Sequence, residues 1–173
     1  MARHANLAVF TAIASWSLVL PLVAQSPHRQ KTKDKADART QYTNSQFGFC
    51  FALPASWRGY SILNLHWDGA PLDGGPALTG PIIVFRNPNW TEQNPREDIP
   101  IMIFTAVQWT RVAKEGVAVS AAPIGPMEMG RNHQYVFALP PRWDFDELPG
   151  WEEAERLVRN NPLNVACGKM NGS

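Results

Sequence analysis

"IPIMIFTAVQW", residues 99 to 109, is apolar at nearly every position and breaks only at Thr105 and Gln108. In a strand with one wet face, apolar and polar residues alternate because successive side chains point to opposite sides. A run without that alternation belongs to a strand covered on both faces. The stretch therefore predicts a central strand over 99–109 with helices packed across the sheet.

The neighbouring segments supply further strands. In "FGFCFALPASW", residues 47 to 57, Phe47, Phe49, Phe51 and Leu53 share one bulky face, while Gly48, Cys50 and Ala52 share a small one. Pro54 has no N–H to give a ladder and closes the strand. "GYSILNLHW", 59 to 67, alternates again, with Tyr60, Ile62, Leu63 and Leu65 expected inside. A Gly/Pro-rich loop, "DGAPLDGGPALTGP", then separates it from the strand "IIVFRN" at 82–87, and its length marks it as mobile or functional. "TRVAKEGVAV", 110 to 119, predicts a short helix weakened by Gly116. "PMEMG" and "NHQYVFALPP" together give one further strand, in which Tyr135, Phe137 and Leu139 alternate. "DELPGWEEAERLVRNN" is the clearest helix: Trp151, Ala154, Leu157 and Val158 form one stripe. Its glutamates crowd the positive end of the dipole and Arg156 and Arg159 the negative end, with a start near Pro149 and a stop before Pro162.

At 173 residues the chain is long enough for one core. Its 15 prolines and 12 glycines favour short elements joined by turns over a bundle of long helices. The formal net charge of +1 supplies no field to steer nucleic acid, so that partner is excluded as a first reading.

The amino end has a different character. Arg3 and His4 precede an apolar run from Leu7 to Ala24, followed by small residues, as in an export signal spanning 1–24. Cleavage after Ala24 fits best; a cut after Ser26, or retention as an anchor, is the alternative, since Leu22 is large for its place and the run barely reaches the length of a membrane span. No cysteine precedes Cys50, which excludes lipid attachment at the cleavage site. Residues 25–41 carry too little apolar surface to offset the entropy of ordering, so they read as a disordered linker, and the domain spans 42–168. No stable membrane insertion is expected once the signal is removed.

Tyr42, Asn44, Phe47, Phe49, Phe51, Leu53, Pro54 and Trp57 resemble the opening of the PsbP-like fold. "SWRGYSI", "DIPIMIFTAVQW" and "GRNHQYVFALPPRW" are similar to a group of exported bacterial domains of that kind. The resemblance covers roughly 42 to 162. It implies an α+β domain, an antiparallel sheet flanked by helices in an α/β/α sandwich, and a docking or accessory role, with no catalytic residues to carry over.

Cys50 and Cys167 are the only cysteines. In an oxidising compartment an even pair reads as a disulfide; the alternative is two thiols, with Cys50 a small buried hydrophobe. Other chemistry is thin. His66 with Asp68, and His133 near Glu128 and Arg131, could each orient an imidazole for proton transfer, which would suit a small hydrolase. "DFDE", Asp144 to Glu147, lacks the glycine turn and terminal glutamate of a calcium loop and reads as capping ahead of the last helix. "NPREDIP" reads as a solvated turn. Asn89 and Asn171 head formal glycosylation triplets, which stay bare in a bacterial cell. No nucleotide or metalloprotease motif occurs, so no metal and no cofactor is expected. Trp67, Trp90, Trp109 and Trp143 fall at strand ends or in loops, where aromatic rings mark a candidate interface or simply lid the core. The sequence thus points to a secreted or periplasmic, non-enzymatic binding or accessory domain for an envelope or extracellular protein, with a secreted hydrolase as the alternative.

Overall fold

The larger of two sheets is built around the apolar stretch that begins at Ile99. In the computed structural model, which describes residues 39–114, 116–119, 124–144 and 148–167, that stretch gives strand β5, Ile99–Thr105. The strands before it are β1, Thr40–Asn44; β2, Phe49–Leu53; β3, Ser61–Pro71; and β4, Leu78–Arg86, with a 3-10 turn at Ala55–Trp57. After it come helix α1, Ala106–Ala113; β6, Val117–Ala118; the hairpin β7, Met127–Arg131, and β8, Tyr135–Leu139; helix α2, Trp151–Arg159; and β9, Leu163–Asn164. Six strands run in the order β6-β3-β4-β5-β8-β7 and three in the order β1-β2-β9. All of these pairings are antiparallel, so the fold is α+β. The described residues all fall within one compact unit, Asp34–Ser173. The expected signal segment and all but the last few linker positions lie outside the described residues.

Two-sided burial of β5 is what divides the core in two. Ile99, Ile101 and Ile103 face a cluster with Phe49, Phe51, Leu53, Trp57, Phe85, Phe137, Leu139 and Leu157. Met102 and Phe104 face the opposite way, toward Trp67, Val112, Val117, Val136 and Ala138. The small sheet and α2 close the first side, and α1 closes the second. Stacked Phe51 and Phe85, with ring centroids 4.3 Å apart, join the two sheets. Tyr42 meets Phe85 edge-on at 5.1 Å beside them.

Several boundaries move from where the sequence put them. The strand over 99–109 ends at Thr105, because Thr105-x-x-Gln108 is a capping box: the Thr105 side chain accepts from the Gln108 N–H at 3.2 Å and the Gln108 side chain accepts from the Thr105 N–H at 2.8 Å. Helix α1 therefore starts ahead of the expected 110–119 segment. The long Gly/Pro-rich loop shrinks to residues 72–77, since Asp68 pairs with Thr79 and Gly69 with Leu78 as extensions of β3 and β4. The single strand expected beyond Pro126 is a hairpin turned at Asn132, whose side-chain carbonyl accepts from the Gln134 and Tyr135 N–H groups at 2.9 and 2.8 Å. Strand β1 includes Thr40 and Gln41, two positions expected in the linker. Leu65 is 50% exposed, not buried. "NPREDIP" is not a solvated turn: Glu97 is buried, and Asp98 holds Arg86 at 3.1 Å and the Asn87 N–H at 2.8 Å.

Candidate functional site

A cleft of about 680 Å³ opens between helix α2 and the small sheet. Its first wall follows from helical spacing: Glu153, Arg156, Leu157 and Asn160 stand at i, i+3, i+4 and i+7, hence on one face. Leu157 is buried in the floor and Arg156 is exposed above it. Across from them lie Ala52 and Leu53 at the end of β2 and Pro54 just beyond. Thr40 is in register with Leu53, which sets Arg39 beside Pro54 at the mouth.

The third side depends on how α2 stops. Asn160 closes the helix, its N–H reaching the carbonyls of Arg156 and Leu157 at 3.2 Å each. Asn161 follows in the left-handed region at φ 50°, a conformation asparagine tolerates better than most residues and a common way to end a helix. Pro162 blocks any continuation, and its carbonyl takes the Ala52 N–H at 2.9 Å. The chain is thereby reversed into β9, where Leu163 and Asn164 pair with Phe51 and Cys50. Cys50 and Cys167 form a disulfide with their Cα atoms 5.8 Å apart, which staples this wall to β2.

The cleft carries more positive than negative charge. Arg39 and Arg156 make no ion pair or hydrogen bond through their side chains among the described residues, whereas the Glu153 carboxylate accepts from the Ser56 hydroxyl. Asn160, Asn161 and Asn164 add amide groups, and Leu53, Pro54 and Pro162 an apolar lining. Two free guanidiniums over an apolar floor can grip an acidic group by paired N–H donors while the floor takes an apolar body.

The residues singled out from sequence fall elsewhere. Trp67 is not at a surface: it is 3% exposed, its indole N–H donates to the Ile103 carbonyl at 2.9 Å, and it is a core residue of the α1 side. Trp109 packs edge-on against Phe104 at 5.3 Å, and Trp143 rests half-buried on the other core. Trp90 lies under the Arg86 guanidinium, 3.8 Å from its ring centroid, on the loop that Asp98 holds. His66 and Asp68 are exposed on one face of β3 and make no hydrogen bond to each other. Near His133, Glu128 is already taken: its carboxylate accepts from Arg131, and that bond raises the Arg131 pKa further above its ordinary value. Neither histidine sits in the cleft. Asn89 is exposed, while Asn171 and all of "DFDE" except Asp144 lie outside the described residues. Among the described residues no group of three His, Cys, Asp or Glu side chains could hold a metal, and no helix is long and apolar enough to cross a membrane.

The chain matches no family model, no curated protein and no solved structure.

Proposed function

We propose that the chain is an exported, PsbP-like binding or accessory domain that presents the α2 cleft to an envelope or extracellular partner. The observation that carries the reading is the Cys50–Cys167 disulfide. Such bonds persist in oxidising compartments, in keeping with an export signal at 1–24. This one fastens a wall of the cleft, where pre-set geometry lowers the entropy lost on binding.

The test is affinity capture from envelope extract by residues 25–173, under oxidising and reducing conditions, followed by hydrogen exchange on the retained complex. The expected result is a specific partner that protects backbone amides of β2 and of the turn between α2 and β9, and that is released on reduction. A partner leaving those amides unprotected overturns the cleft as the docking site, and no specific partner overturns the accessory role. Thiol alkylation in intact cells checks location separately: Cys50 and Cys167 should react only after reduction.

A further inference from the structure

We infer that the α2 cleft binds a small anionic amphiphile, a molecule with a carboxylate or phosphate head and an apolar body, whose head Arg39 and Arg156 clamp from opposite walls. This deepens the reading of the cleft as the binding surface and does not require that the partner be a protein.

The cleft has the size of a site for a drug-sized molecule, about 680 Å³ against a usual span of roughly 300–1,000 Å³. Its charge selects the sign of the head. The arginine ion pairs among the described residues lie outside the lining: Arg86 with Asp98, Arg111 with Asp73, Arg131 with Glu128 and Arg159 with Glu155. The two arginines that line it have no carboxylate partner among the described residues, and the lining carboxylate, Glu153, is held by Ser56. Arg156 has a glutamate one turn away at Glu152, the spacing at which helical ion pairs form, yet it does not take it. An arginine that stays unpaired beside an available partner keeps its planar fork of donors open for an acid.

The composition of the remaining lining sets the body. Leu53, Leu157, Pro54 and Pro162 present aliphatic surface, and among the described residues no aromatic ring lines the cleft. Sugars and nucleobases are usually held by stacking on rings, which leaves an alkyl or similarly compact apolar group as the fitting body. The amides of Asn160 and Asn164 stand at the rim, where they can donate to further oxygens of the head.

The experiment is calorimetric titration of the oxidised domain with three probes that share one chain and differ in the head: octanoate, octyl phosphate and octyltrimethylammonium. Binding of one or both anions, and not of the cation, is expected; which anion binds more tightly tells a carboxylate from a phosphate site. Arg39→Ala and Arg156→Ala should each weaken the anion by about tenfold or more, the loss expected for a hydrogen bond to a charged group. Arg156→Lys should recover only part of that affinity, because it restores charge without the fork. Arg159→Ala, on the same helix but outside the cleft, should leave affinity within about twofold, as expected for an exposed charge at a distance. Far-UV circular dichroism of each variant confirms that it is folded. Equal binding of the cation, no binding of either anion, or an Arg159→Ala loss as large as that of Arg156→Ala overturns the inference. A captured protein partner alongside no anion binding removes this inference and leaves the accessory reading standing.

Discussion

Gly80→Ala is the substitution most directly priced by the geometry. A Cβ at that position stands 2.5 Å from Trp67 Nε1 and 2.6 Å from Cε2, because the indole lies flat across β4 at this glycine. The ring has no room to retreat: it is 3% exposed, packs on Phe104 at 4.5 Å between centroids, and is pinned by its N–H on the Ile103 carbonyl. Overpacking of this kind costs about 1–3 kcal/mol. Displacing the indole also strands a buried donor, at about 1–3 kcal/mol more. The sum, roughly 2–6 kcal/mol, is a large part of the 5–15 kcal/mol typical of a domain. Urea unfolding followed by tryptophan fluorescence reads the loss, with Trp67→Phe and the double variant completing a cycle. A smaller ring should tolerate the new methyl better, giving a coupling of about 1–3 kcal/mol. A Gly80→Ala protein within about 0.5 kcal/mol of the parent, or a cycle with no coupling, refutes the reasoning.

Four further outcomes are expected. Replacing Cys50 and Cys167 by Ala opens a loop with a sequence separation of 117, worth up to about 4.9 kcal/mol in the chain-entropy treatment and visible as a lowered urea midpoint. Thr105→Ala removes the cap of α1 and should cost about 1 kcal/mol by the same assay. Asp98→Ala frees both Arg86 and the Asn87 N–H, at about 1.5–3 kcal/mol for hydrogen bonds to a charged group, and should shift Trp90 emission as the guanidinium above it moves. Partial burial, aided by the neighbouring Tyr42, raises the Tyr60 pKa. The folded state therefore holds that phenol proton longer than the unfolded one; the associated stability is complete below the ordinary phenol value of about 10 and fades as pH climbs through the raised one. Ultraviolet titration should show a late-ionising tyrosine that Tyr60→Phe abolishes.

Period-two patterning was legible in β2. Phe49, Phe51 and Leu53 share the core side as their alternation implied, with Cys50 on the other face ready for its partner. The unbroken apolarity of Ile99–Phe104 marked the strand buried on both sides. What hydropathy did not reveal was the helix at its end, since Ala106, Val107 and Trp109 continue the same apolar run; the signal lay in the hydrogen-bonding pair Thr105 and Gln108. Trp67 was misplaced for the complementary reason. An indole closing a strand ahead of a Gly/Pro-rich segment read as a strand-end aromatic, but Gly80 across the ladder is the gap it fills. The cleft could not be found by scanning for catalytic motifs, because it is made of arginines, asparagines and prolines that only the Thr40–Leu53 register and the left-handed Asn161 bring together.

The pairing of β2 with β9 also orders events in time. Ribosomes deliver the chain from its amino end, so β2 emerges well before Leu163–Asn164. Every strand of the larger sheet is available before β9 exists, and until then one side of β2 lacks its neighbour and Cys50 its partner sulfur. Contacts so distant along the chain form slowly, because a long loop must close before they repay its entropy. The cleft is thus a late product of folding, and formation of the bond to Cys167 serves as the chemical mark that β9 has reached β2.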